Sequence, residues 1–244
     1  MIICEIGINH LGNPEYSRKY VESLSESNCD ALTYQIREDD FYKREKYKNY
    51  DLSFSHYEEM KSLTNKKFGF ALSNHNLLKE CEKLEPDFYK ILSWELNNYG
   101  FIDDLLDNTN KDIHISTGTS SLKELDKFYK RYGTNNRINF IHTQLSKEVK
   151  DTNLKAIRSL SERYPYKVSY GNHCENKSII TASVVFEPVN IWLYVKGGDF
   201  NFRFHPDEFW AINLLELNSL INDINSVRFA IGDGFKQSTN TKGY

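Results

Sequence analysis

Eight short runs of β-branched and aromatic residues, each followed by an amphipathic segment, constrain this chain more than any single motif does. The strand pattern covers Ile2–Ile8, Ala31–Ile36, Phe68–Ser73, Phe88–Ser93, Asp112–Thr117, Ile138–Thr143, Lys167–His173 and Asn190–Val195. The helical pattern covers Tyr16–Ser27, Ser55–Thr64, Asn76–Leu84, Phe101–Asn108, Ser121–Tyr132, Asn153–Tyr164, Lys177–Val185 and Pro206–Phe229. Strands separated by helices in this way pack as right-handed βαβ units on a parallel sheet. Eight such units in 244 residues match a closed (β/α)8 barrel, which typically runs to roughly 250 residues. An open, doubly wound sheet is the alternative, but no glycine-rich dinucleotide fingerprint follows the first strand. The expected fold class is therefore α/β, a single-domain (β/α)8 TIM barrel over residues 1–236, followed by a polar tail at 237–244.

Helix punctuation agrees with this division. Ser121-Leu122-Lys123-Glu124 has the S-x-x-E form of a capping box. Pro206-Asp207-Glu208 places proline and two acids in the first turn expected for the last helix, as the helix dipole favours. The cysteines, at 4, 29, 81 and 174, are far apart and lack a CxxC pair, so reduced thiols in a cytoplasmic protein are expected. A formal net charge of −3 gives no electrostatic footprint for nucleic acid. No apolar run approaches the roughly 18–20 residues of a membrane span, so no membrane partner is expected.

In a barrel of this kind, functional groups come from the carboxyl ends of the strands and the loops beyond them. Those positions hold Glu5, Asn9 and His10; Gln35 and Arg37; Ser73 and Asn74; and Lys90, Ser93 and Glu95. They continue with Ser116, Thr117 and Thr119; His142 and Thr143; Asn172 and His173; and Lys196. Glu5 is the sharpest signal, because a carboxylate inside an apolar strand is costly unless it is paired, hydrogen-bonded or bound to a metal. Cations, hydroxyls and amides gathered on one rim suit an anionic, phosphate-bearing ligand. The Ser116-Thr117-Gly118-Thr119 turn can bring backbone N–H groups to it.

The segments carrying these residues resemble the sialic acid synthase family. Glu5-Ile6-Gly7-Ile8-Asn9-His10-Leu11-Gly12 is similar to its EIGxNHxG opening, and Lys90-Ile91-Leu92-Ser93-Trp94-Glu95-Leu96-Asn97-Asn98 to its KIxSGExNN segment. Ile115 to Thr119 resembles LSTGM, Ile141-His142-Thr143 resembles LHC, and Asn153 to Ile157 resembles the LxAI helix start. Tyr170-Gly171-Asn172-His173 is similar to YSDH, His205 to Phe209 to EPDEF, and Ala230 to Gly234 to ALGDG. The resemblance implies an enzyme that condenses phosphoenolpyruvate with an aldose such as an amino sugar. It implies a place in nonulosonic acid or surface-polysaccharide biosynthesis and a divalent metal, manganese or magnesium. By the same resemblance Lys90, Ser93 and Ser116 hold phosphoenolpyruvate, Glu95 lies near the reacting carbons, and His173 and Glu5 serve the metal. Glu5, Lys90, Glu95 and His142 are then the expected catalytic set. Asn9, His10, Gln35, Arg37, Ser93, Asn97, Ser116, Thr117, Asn172 and Lys196 are the expected substrate-binding set.

Several positions depart from the family pattern. A Lys-x-Gln unit reads Thr33-Tyr34-Gln35, and the serine and aspartate of YSDH read Gly171 and Asn172. Where an E-[KR]-H-F segment carries a second metal histidine, the chain reads Leu193-Tyr194-Val195-Lys196, with Val195 at the histidine. The family's C-terminal antifreeze-like domain has no counterpart, so a homodimer or a partner subunit supplying it is an open expectation. Arg37, Lys196 or Arg203 are candidates to replace the lost lysine, and Asp199 to add a metal ligand. The alternatives are a degenerate barrel that only binds a phosphorylated sugar or a partner, and a metal-independent lyase or isomerase using Glu95, Lys90 and His142.

Overall fold

A computed structural model of the chain describes residues 1–73, 75–197 and 205–236. Eight parallel strands form a closed barrel: β1 (Ile2–Gly7), β2 (Ala31–Ile36), β3 (Lys67–Leu72), β4 (Phe88–Ile91), β5 (Asp112–Ser116), β6 (Ile138–His142), β7 (Lys167–Gly171) and β8 (Ile191–Lys196). They pair in sequence order, and β1 closes on β8 through Ile2↔Ile191 to Glu5↔Tyr194. Around them run α1 (Pro14–Glu26), α2 (Asp39–Tyr42), α3 (Phe54–Ser62), α4 (Leu78–Lys83), α5 (Tyr99–Asn108), α6 (Leu122–Tyr132), α7 (Lys155–Arg163), α8 (Ser178–Ser183) and α9 (Leu214–Ile231). The expected (β/α)8 barrel is the observed fold. No helix among the described residues is long and apolar enough to cross a membrane. All four cysteines are buried and free.

Side chains alternate between the two faces of each strand. The outward set, including Ile2, Cys4, Leu32, Tyr34, Phe68, Phe70, Tyr89, Phe140, Tyr170 and Val195, joins the helices in one large apolar core. The inward set forms only a small apolar plug of Ile3, Ala31, Phe88, Ile141 and Trp192. At roughly 25 cal/mol per Å² of apolar area, most burial free energy therefore lies outside the barrel wall. Gly12 shows how tightly the β1–α1 loop packs. Its φ is +72°, and a Cβ there would lie 1.7 Å from the Asn49 carbonyl oxygen.

The capping box forms as expected, with the Ser121 hydroxyl accepting from Glu124 N and the Glu124 carboxylate from Ser121 N. The last helix differs from expectation. It starts at Leu214 rather than Pro206, because the Asn213 side chain accepts from Leu215 N and caps it there. Residues 206–210 form turns, and a two-residue strand, β9 (Ile212–Asn213), pairs with Val195–Lys196. Strand β7 also ends earlier than expected. Asn172 turns the chain by accepting from Cys174 N and donating to Cys174 O.

Candidate active site

The plug at the barrel floor sets the level of everything above it. One inward position beyond Phe88 on β4 stands Lys90, one beyond Ile3 on β1 stands Glu5, and one beyond Trp192 on β8 stands Tyr194. Lys90 Nζ donates to both Glu5 carboxylate oxygens at 2.5 Å, with the two residues 3% and 2% exposed. The ammonium also lies 5.3 Å from the ring centroids of both Trp192 and Tyr194, within cation–π range. Thr33 faces Glu5 directly in the β1–β2 register, but its hydroxyl donates to Tyr34 O at 3.4 Å. Glu5 therefore takes its counter-charge from across the barrel.

Asp207 sits beside this pair. Its N–H donates to Asn9 Oδ1 at 3.2 Å, while Asn9 Nδ2 donates to Val195 O at 2.8 Å, so Asn9 ties the 205–210 turns to β8. Burial, reinforced by the Glu5 charge, pushes the Asp207 carboxyl up to about 7. Burial and the same carboxylates raise the Tyr194 phenol well above its ordinary value. Gly7, at φ +57°, makes room: a Cβ there would come within 3.3 Å of both Asp207 Oδ2 and the Tyr194 ring.

His173 completes this side of the mouth. Its Nδ1 lies 2.7 Å from Thr143 Oγ1, and its ring stands 5.3 Å from Tyr194 and 5.2 Å from Trp210. Burial, with the Lys90 charge, lowers it to about 3, so the imidazole is neutral. Ser93 and Ser116 are buried at the ends of β4 and β5. Thr119 Oγ1 donates to Ser93 O at 2.7 Å, and Thr117 commits both its N–H and its hydroxyl to Ile141 O.

The rim is a set of closed ion pairs. Arg37 donates from Nε and Nη2 to the two Glu38 oxygens at 3.1 and 3.0 Å and lies over the rings of Phe41 and Trp94. Burial works against the Glu38 anion, but the Arg37 and Ser73 hydrogen bonds outweigh it and hold the carboxyl at about 2. Lys196 donates to Glu208 Oε1 at 2.5 Å and to Glu208 O at 3.0 Å. Glu95 accepts from Asn98 Nδ2 at 2.8 Å, and exposed Asn97 donates to Glu124 Oε1 at 2.9 Å. Gln35 is one inward position beyond Thr33 on β2.

Three sequence candidates lie elsewhere. His10 packs against Tyr34 at 5.7 Å, on the outer side of β2, and its Nδ1 accepts from Gly12 N at 3.0 Å. Burial lowers His10 to about 3. His142 follows Ile138 and Phe140 on the outer face of β6, with Nε2 2.9 Å from Thr152 O, and lines a cavity of about 300 Å³ beside α6 and α7. Asn172 is committed to its own turn and to the Tyr170 hydroxyl, at 3.0 Å. Asn74, Asp199 and Arg203 lie outside the described residues.

Conversely, Tyr194 at the mouth, Trp192 in the plug beneath it and Asp207 beside the Lys90–Glu5 pair are residues that the motifs do not single out. Period two on β8 carries the signal for the first two, since Val195 must face out if Trp192 faces in. Tyr194, not Val195, is the last-strand residue that meets His173. Asp207 was visible only as a helix-start acid. Among the described residues no group of three or more His, Cys, Asp or Glu side chains is placed to hold a metal ion. The donor chemistry agrees: both Glu5 oxygens are engaged by Lys90, and a phenol and an indole flank His173. These residues do not fit a divalent-metal site.

The NeuB family model matches residues 17–236. The chain is 24% identical over 271 residues to N,N'-diacetyllegionaminic acid synthase of Campylobacter jejuni, across 99% of this chain and 80% of that protein. It is also 24% identical to pseudaminic acid synthase of Campylobacter jejuni, across 96% of this chain and 75% of that protein. Among solved structures, it resembles the N-acetylneuraminic acid (sialic acid) synthetase of Leptospira borgpetersenii, solved in complex with citrate. The TM-score is 0.86 at 19% identity, covering 98% of this chain and 87% of that one.

Proposed function

The chain belongs to the NeuB family, and from that premise we propose that it is a phosphoenolpyruvate-dependent sugar-acid synthase acting on an aldose. What supports the reading is the gathering of Lys90, Ser93, Ser116, His173 and Asp207 at the carboxyl end of one barrel, as a small acidic donor requires. Lys90 would anchor the donor's carboxylate or phosphate, with the Ser93 and Ser116 hydroxyls donating alongside it. Asp207, half protonated near pH 7, would lend a proton to the aldehyde oxygen as the donor's enol carbon bonds to the aldehyde carbon. One water then adds to the cationic C2, and the resulting tetrahedral phosphate ester breaks its C–O bond to give the 2-keto acid and inorganic phosphate. Tyr194 and Trp210 would shield the reacting carbons from bulk water. No step is assigned to a metal, because the described side chains do not form a site for one.

A binding-only barrel is the second reading, and one observation favours it: Lys90 is already neutralised by Glu5. The two separate in an assay of phosphate release from phosphoenolpyruvate with N-acetylmannosamine and related amino sugars. Turnover that disappears in Lys90→Met supports the synthase. Saturable phosphoenolpyruvate binding with no phosphate released from it in the presence of any of these aldoses supports the binding barrel.

A further inference from the structure

Three cations at this mouth already have a carboxylate: Arg37 has Glu38, Lys196 has Glu208, and Lys90 has Glu5. The first two pairs sit on the rim, where solvent weakens them. The third is sealed at the floor. Its partner choice follows from the register. Glu5 stands directly beside Thr33, which is fully buried and offers it no charge. A lysine at position 33 would occupy the neighbouring inward place and serve as that counter-charge. With threonine there, the nearest cation is Lys90 on the far wall, and both carboxylate oxygens close on it.

We propose that anion binding at this mouth is an exchange, in which the ligand's carboxylate or phosphate displaces Glu5 from Lys90. Glu5 is a resident competitor for the floor cation, and Thr33 is the residue that makes it one. The exchange keeps Lys90 paired throughout, while Glu5 gives up its cation and keeps the Tyr194 hydroxyl as a hydrogen-bond partner, a cost that the incoming anion has to offset. It also selects the ligand. A neutral polyol leaves the pair closed, whereas a compact anion that replaces both Glu5 hydrogen bonds opens it. The inference rests on the reading of this mouth as a phosphoenolpyruvate site.

The test is calorimetric titration of the full chain with phosphoenolpyruvate, and separately with inorganic phosphate. Glu5→Gln removes the competitor while keeping its shape, so it should bind phosphoenolpyruvate roughly tenfold more tightly than the parent, the worth of a charge-assisted contact. Thr33→Lys, which gives Glu5 another partner, should shift affinity in the same direction. Glu5→Gln with Lys90→Met should lose the gain. Unchanged or weaker binding in a folded Glu5→Gln overturns the exchange while leaving the site reading intact. Absence of binding to parent, Glu5→Gln and Thr33→Lys alike overturns both.

Discussion

The two faces of the same eight strands are built on opposite rules. The outward face is aliphatic and aromatic and merges with the helices into a continuous core. The inward face sets a five-residue apolar plug among polar side chains, with Glu5, Thr33, Lys90, His114, Asn139 and Ser169 all buried. Inside, Trp192 Nε1 and His114 Nδ1 have no hydrogen-bond partner, a cost of about 1–3 kcal/mol for such a group. The difference teaches that stability is supplied outside the wall, which frees the interior to hold charges that do not help the fold.

The largest effect that can break this contrast is on the outer face. Phe140→Ala should lose about 3–5 kcal/mol in urea unfolding, whereas Thr33→Val on the inner face should stay within about 1 kcal/mol. Comparable losses would erase the distinction. Next, Lys90→Met should cost about 3–5 kcal/mol by stranding a buried carboxylate, and adding Glu5→Gln should recover most of it. A double variant no more stable than Lys90→Met would mean that the pair contributes through packing.

The pH dependence sharpens the contrast further. Asp207 has its pKa raised from the carboxylate range to about 7, so the folded state holds a proton that the unfolded chain releases at lower pH. Its contribution is full below the unfolded value and is lost as pH rises through about 7. Asp207→Asn should therefore be more stable than the parent at pH 8, on the order of 2 kcal/mol, with the gain shrinking towards pH 4. The histidines act in the opposite sense. His10, His114 and His173 are lowered to about 3, chiefly by burial, so stability should fall as pH drops below about 6.5. Thermal melts from pH 8 to pH 4 read both trends, and a flat profile for Asp207→Asn relative to the parent would remove that carboxyl from the buried cluster. The smallest effect is local: Ser121→Ala should cost about 1 kcal/mol by removing the α6 cap, with no change in ligand binding.

Much of this arrangement was legible in the chain. Strand β2 falls at Ala31–Ile36, where its alternation places it, and most other strand ends move by one or two residues because loop side chains such as Asn172 decide where pairing stops. Glu5, Lys90, Ser93, Ser116 and His173 reach the mouth from motif position alone. His10 and His142 do not, although their motifs match as well. One residue of parity separates a barrel-facing side chain from a helix-facing one, and a motif does not state its parity.

The sequence by itself determined the period-two and helical patterns, hence the barrel, and the acidic strand that marks its opening. Those are properties of neighbouring residues, and they act before the chain closes. Only the tertiary structure decided that Glu5 would hold a lysine 85 positions away, that Tyr194 would meet His173, and that Asp207 would enter the cluster from a turn. Such partnerships depend on ring closure and on the register between β1 and β8. Closure sets distances across the axis, and no local pattern encodes them.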